Sequence, residues 1–345
     1  MFFDPIEVPD ELLKAQQEGK LVIFAGAGVS IGGPSNQPDF KGLVLDIAGS
    51  HPLASEIRRY EARLDRFLGN LARAHVDVQK LCHAKIANPD SKPTNLHRWL
   101  VGLFGKPEHL RIVTTNFDLH FRTVIEERRW RVDYFHAPAL PLGHSFSGVV
   151  HLHGCISRPE PLVLTDEDFG RAYLIEGWAR EFLQRLFSEF TTLFIGYSHN
   201  DLPVEYLARG MTGRNLAPRF ALTEEGVQAQ WASLGIREIT FKKQDKGNQF
   251  QNLYNGIQTW ADLTEQQPTD IADRVIAIVN APENLTPDRA ESSLLKLCIQ
   301  REQTCHFFTR HATGWRWVKW LHEQGVLSPL FDPSRRALDE CEVEL

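Results

Sequence analysis

Long apolar runs are missing from these 345 residues: no stretch approaches the roughly 20 residues that span a bilayer, so a membrane protein is not expected. Cysteine is scarce and scattered. Cys82, Cys155, Cys298, Cys305 and Cys341 are odd in number and include no Cys-x-x-Cys pair, which excludes a four-cysteine zinc ribbon and fits reduced thiols better than a disulfide framework. A positive charge excess is lacking too. With a formal net charge of −6 the chain has no general attraction for nucleic acid phosphates, and direct nucleic acid binding is not indicated. Met1-Phe2-Phe3-Asp4-Pro5 carries neither a basic segment nor a long apolar one, so no secretory signal is read and a cytoplasmic location is the expectation. No internal repeat or low-complexity tract is found.

What is present is an alternation of short apolar strands with helical stretches. Asp10 can cap a first helix, Glu11 to Gln17, before the buried-strand run Leu21 to Ala25. Between about Pro52 and Gly105 the pattern is helical, over Ile57 to Leu68, Val76 to Ile86 and Thr94 to Phe104. Strand patterns follow at Arg111 to Thr114, Val132 to Phe135, Val149 to Leu152 and Leu162 to Leu164. Thr165 and Asp168 form a capping box, and a helix from Trp178 to Phe190 leads to the strand Thr192 to Ile195. Phe220 to Leu222 and Glu238 to Phe241 read as strands around a helix Glu225 to Leu234. This order predicts an α/β fold, a Rossmann-like parallel sheet with helices on both faces and a helical insertion at about 50–107, within a domain of residues 1–262. Residues 263–345 read as a C-terminal α-helical appendage after linker material at Gln266 to Pro268 and Pro282 to Pro287.

Four segments sit where strands end, the place where open α/β sheets bind ligands. Ala25 and the turn Gly26-Ala27-Gly28-Val29-Ser30 allow close approach of a pyrophosphate to backbone, or serve only a tight connection; a third glycine at dinucleotide-fold spacing is absent, since position 31 is Ile. Thr114-Thr115-Asn116-Phe117-Asp118 offers polar side chains at a strand end, although the same residues favour turns and caps. His151-Leu152-His153-Gly154 offers a general base, a core histidine or, with both imidazoles on one strand face, half of a metal site that lacks a third ligand; no metal is expected. Gly196-Tyr197-Ser198-His199-Asn200-Asp201 offers Ser198 to a phosphate and Asp201 to a ribose hydroxyl or a helix cap. In the appendage, Cys298, Cys305, His306 and His311 read as packing groups before zinc ligands, and Trp315, Trp317 and Trp320 as packing or an interface.

Taken in order, GAGVS, the segment Pro38 to Leu43, TTNFD, HLHG and GYSHND resemble the NAD-binding core of the sirtuin family over about residues 21–202, and more loosely to 262. The resemblance implies NAD as ligand. It assigns the pyrophosphate to Gly26, Ala27, Gly28 and Ser30, the nicotinamide surroundings to Asp39, Phe40 and Thr115, nicotinamide and ribose to Asn116 and Asp118, the general base to His153, and phosphate and ribose contacts to Gly196, Tyr197, Ser198 and Asp201. Thr115 stands where the family has Gln, Lys41 where it has Arg and Tyr197 where it has Thr. The four-cysteine zinc module of protein-deacylating sirtuins is absent after His153-Gly154. The segments Leu162 to Tyr173 and FFTRHATGWRWVKWLHEQG look like divergent bacterial sirtuin-like proteins of antiphage defence. That resemblance implies an NAD glycohydrolase with Asn116, His153 and Asp118 as catalytic residues, acting as a homo-oligomer or with a partner defence protein or sensor domain. A sirtuin-type deacylase or ADP-ribosyltransferase, or a non-catalytic NAD or ADP-ribose binding module, are the alternatives.

Overall fold

Five of the nine strands among the described residues are short runs that water barely reaches, and their burial follows from their place in one sheet. The computed structural model describes residues 1–60, 63–197, 216–226, 231–244, 247–282, 285–300 and 302–327. After a small antiparallel pair, β1 (Phe2–Phe3) with β2 (Ile6–Glu7), and helix α1 (Asp10–Gln17), strand β3 (Leu21–Ala25) opens a seven-stranded parallel sheet of order β5-β6-β4-β3-β7-β8-β9. Its other members are β4 (Arg111–Thr114), β5 (Asp133–His136), β6 (Gly148–His151), β7 (Thr191–Ile195), β8 (Arg219–Glu224) and β9 (Arg237–Phe241). Every residue of β3, β6 and β7 is buried, as expected of central strands covered on both faces. The edge strands are less covered: β5 has no fully buried residue, and β9 buries only Ile239 and Phe241. The apolar faces of Phe24, Val113, Val150 and Phe194 join Phe187 and Trp231 in the main core.

The chain leaves β3 toward β4 on one side and later returns to β7 on the other, Phe24 pairing with both Val113 and Phe194. That reversal opens a crevice at the carboxyl ends of β3 and β7.

Between β3 and β4 run α2 (Phe40–Ala48), a 3₁₀ stretch Pro52–Tyr60, α3 (Leu64–Arg73), α4 (Val78–Ile86) and α5 (Asn95–Gly102). These helices bury Leu43, Val44, Phe67, Leu68, Cys82 and Ile86 in a second core. Four sequence expectations are corrected in detail. The expected helix Ile57 to Leu68 is broken into the 3₁₀ stretch and α3. Asp10 is not a cap: Pro9 holds that position and no side chain accepts there. Leu162, Val163 and Leu164 form no strand; Leu162 and Leu164 are apolar because they fill the core of the helical insertion. Their backbone is satisfied locally, Leu162 exchanging hydrogen bonds with the Gln79 amide (3.0 and 2.9 Å) and the Val163 N–H donating to the His153 carbonyl at 3.0 Å. Of the expected helix Glu225 to Leu234, the described residues show a turn at Glu225 and Gly226 and a 3₁₀ turn at Ala232–Leu234.

The expected capping box is present: Thr165 accepts from the Asp168 N–H and opens α7 (Asp166–Gly170), which passes into a π-helical turn, Arg171–Ile175, before α8 (Trp178–Glu189). Helices α6 (His120–Glu127) and α9 (Gln251–Glu265) complete this part of the chain. Contacts divide the protein into Met1–Glu265 and a second unit from Gln266 onward. The described part of the second unit holds helices Pro268–Val279, Arg289–Gln300, Glu302–His311 and Trp315–Glu323, around Val275, Leu295, Cys298, Phe308, Trp317 and Trp320. Trp315 is exposed, while Trp317 and Trp320 pack edge-on at 5.9 Å. Cys298 Sγ donates to the Thr304 carbonyl, and among the described residues no cluster of three or more His, Cys, Asp or Glu could hold a metal. No helix among the described residues is long and apolar enough to cross a membrane.

Candidate active site

The Gly26 to Ser30 turn leaves β3 as a short 3₁₀ segment pressed against the end of β7. Gly26 N–H donates to the Ile195 carbonyl and Gly28 N–H to the Gly196 carbonyl, both at 2.9 Å. A Cβ at Gly28 would lie 2.8 Å from the Gly196 Cα, and one at Gly196, whose φ is +75°, 2.8 Å from the Val29 nitrogen. Both glycines are therefore required by backbone meeting backbone. Tyr197, next along, donates from its hydroxyl to the Ala25 carbonyl (3.1 Å), and the Thr115 hydroxyl lies 2.9 Å from the Tyr197 hydroxyl oxygen. The ends of β3, β4 and β7 are thus tied together by the residue that departs from the sirtuin pattern.

Two cavities flank this knot. A narrow one of about 70 Å³ is lined by Ser30, Phe40, Thr115, Asn116, Asp118 and His153 among others. A groove of about 670 Å³ runs over the ends of β7, β8 and β9 past Gly28, Gly196, Glu224, Lys243, Phe250 and Tyr254. Ala27, Asp39 and Tyr197 border both, so the two adjoin. Of the residues singled out in the sequence, Ala25 and Gly26 line neither cavity; their roles are strand end and turn. Asp39 is exposed, and its carboxylate caps α2 by accepting from the Gly42 N–H at 2.6 Å. Ser198 and Asp201 lie outside the described residues.

Asn116 has a forced orientation. Its Nδ2 lies 3.1 Å from the Gly26 carbonyl, which can only accept, and 3.1 Å from Ser30 Oγ. The amide hydrogens are thereby used, and Oδ1 is left as an acceptor. Ser30 is the hub of a buried network. It donates to Asp118 Oδ2 (2.9 Å), receives Asn116 Nδ2, and sits 3.2 Å from His97 Nε2. The backbone N–H of Thr94 donates to His97 Nδ1 at 3.1 Å, so that nitrogen carries no proton and Nε2–H is the donor to Ser30. Burial lowers the His97 pKa to about 4, which keeps this neutral tautomer. Asp118 Oδ1 accepts from the His120 N–H at 3.0 Å, so both carboxylate oxygens are engaged while the group still borders the narrow cavity.

His151 and His153 do not act as a pair. His151 ends β6 with Nδ1 3.2 Å from the Asn116 carbonyl, holding the loop that carries Asn116. His153 lies beyond the strand and borders the cavity, its Nε2 2.8 Å from the Tyr173 hydroxyl. Desolvation lowers the His153 pKa to about 3, so the imidazole is neutral. Thr94, His97 and Tyr173 were not picked out from sequence. Phe169 and Tyr173 stand four residues apart after the Thr165 cap, and their spacing marks one buried face, but nothing local says that His153 packs on it.

A parallel sheet with polar side chains gathered at its topological reversal is an α/β domain of Rossmann-like class, and that reversal is where such sheets place their ligand sites. Comparison with known proteins adds a partial match: residues 110–239 are similar to the SIR2-like domain family. "Uncharacterized protein y4cA" of Sinorhizobium fredii is 30% identical over 343 aligned residues, covering 88% of this chain and 28% of that protein, so the chain spans little more than a quarter of that relative. A solved structure described as "Structural Basis for the Mechanism and Regulation of Sir2 Enzymes" aligns with 75% of this chain and all of its own, at 13% identity and a TM-score of 0.39.

Proposed function

We propose that the protein is an NAD glycohydrolase that splits NAD into nicotinamide and ADP-ribose. The observation that carries this reading is the adjoining of a narrow cavity holding Asn116, Asp118 and His153 with a long groove at the strand ends, Tyr197 standing between them. A dinucleotide has that shape, with a small reacting end and a larger nucleoside end. Gly28 and Gly196 border the groove where a pyrophosphate has to pass close to backbone.

In the reaction the bond between the ribose anomeric carbon and the nicotinamide nitrogen breaks, nicotinamide leaves with the electron pair, water adds to the carbon and a proton is released. The transition state resembles an oxocarbenium ion and carries positive charge. The Asp118 carboxylate borders that position and stabilises it electrostatically. Asn116 Oδ1 accepts a ribose hydroxyl. His153, whose burial lowers its pKa to about 3, holds a hydroxyl or the water as a neutral acceptor and does not strip its proton in advance. Phe40 covers the cavity. Positioning supplies much of the rate, because nicotinamide is already a good leaving group. The resemblance to antiphage sirtuin-like proteins supports a cellular role in NAD depletion, with oligomerisation or a partner sensor controlling it.

The test is to incubate the protein with NAD and separate the products by chromatography. Nicotinamide and ADP-ribose form without any acyl-lysine peptide, and folded Asn116→Ala and His153→Ala proteins lose at least about 100-fold of the rate. NAD binding without nicotinamide release, or release that needs an acylated peptide, would overturn the proposal.

A further inference from the structure

His153 is held from behind. It borders the narrow cavity, whereas Tyr173, whose hydroxyl lies 2.8 Å from His153 Nε2, does not. The Nε2 edge of the ring is therefore turned to protein. Two aromatic rings fix the plane: Phe169 and Tyr173 stack at 6.1 Å with 17° between planes, and both meet His153 edge-on, at 5.2 and 6.0 Å. Tyr173 reaches this place from the π-helical turn Arg171–Ile175, and single π turns inside helices recur where a side chain must be re-aimed at a functional group. Tyr173 is itself buried among the core residues Val163, Phe169 and Ala172.

A neutral imidazole has one N–H and one lone pair, so whichever role Nε2 takes, Nδ1 takes the other. We infer that Tyr173 is the positioning residue of His153: its hydroxyl oxygen accepts Nε2–H and so leaves the Nδ1 lone pair as the acceptor of the site. The direction of this hydrogen bond rests on the glycohydrolase reading, which needs an acceptor at Nδ1, whereas the contact between the hydroxyl and Nε2 does not. Here the phenol acts through His153 and touches no substrate.

The experiment uses the whole chain labelled with ¹⁵N-histidine, with His153→Asn to assign the His153 signals, and Tyr173→Phe, which keeps the ring stack and deletes only the hydroxyl. Long-range ¹H–¹⁵N correlation at neutral pH shows the Nε2–H tautomer at His153 in the parent and a mixture, or the Nδ1–H form, in Tyr173→Phe. In parallel, Tyr173→Phe lowers kcat for nicotinamide release about 10- to 100-fold, the range for loss of a histidine-orienting partner, with KM changed less than about twofold. An Nδ1–H tautomer in the parent overturns the inference, as does an unchanged kcat in an active parent. If the parent releases no nicotinamide but the tautomer shifts on losing the hydroxyl, the positioning role stands and only the glycohydrolase reading fails.

Discussion

Lowering the pH from 7 to 5 should destabilise the Met1–Glu265 unit through two histidines of the site. His97 and His153 are buried, and desolvation brings them from an ordinary value of 6.5 to about 4 and about 3. At pH 5 both stay neutral in the folded chain, while in the unfolded chain each takes up a proton below 6.5. Because the unfolded state binds more protons, stability is complete above 6.5 and falls as the pH drops toward the folded values. One and a half units at about 1.4 kcal/mol per unit gives about 2 kcal/mol for each histidine and about 4 for the pair. The assay is urea denaturation at several pH values in the parent, His97→Gln and His153→Asn. Each variant starts from a lower stability, since it loses buried contacts, but between pH 7 and 5 it loses about 2 kcal/mol less than the parent. Parallel stability profiles in all three proteins would refute the reasoning, because they would mean that these imidazoles accept protons without unfolding.

Ser30→Ala removes the hub of the buried network and leaves Asp118 Oδ2 short of a donor and His97 Nε2–H short of an acceptor. A loss of about 1–3 kcal/mol in denaturant stability is expected, with nicotinamide release falling further as Asn116 loses one of its two anchors. Gly196→Ala imposes both a left-handed backbone on alanine and a Cβ 2.8 Å from the Val29 nitrogen. It should cost more than about 2 kcal/mol and weaken NAD binding measured by calorimetry; a fully stable, NAD-binding Gly196→Ala protein would show that the glycine turn is not pinned against β7.

The parallel sheet was legible because its central strands are covered on both faces and so appear as unbroken apolar runs, as in Leu21 to Ala25. The segment Leu162 to Leu164 shows the limit of that signal. It is equally apolar, but Leu162 and Leu164 pack against the helical insertion, and Leu162 takes its backbone partners from the Gln79 amide, 83 positions away. Helix α9 escaped the strand-and-helix pattern read from sequence although Leu253, Ile257, Trp260 and Ala261 recur at helical spacing and are buried.

For the site, the sequence by itself determined the ingredients and their order: a glycine turn after the first long strand, Asn116 and Asp118 after the second, His153 after the fourth. Strand ends of a parallel sheet all face one rim, so residues placed there by local chemistry were bound to meet. Tertiary structure alone decided what each does. Only packing shows that Asp39 is spent on a helix cap, that Asn116 presents Oδ1, that His97 is locked by Thr94 into donating to Ser30, and that His153 rests on Tyr173. Proton positions and free lone pairs depend on partners 3 Å away in space and tens of residues away in the chain, and no local pattern encodes such partners.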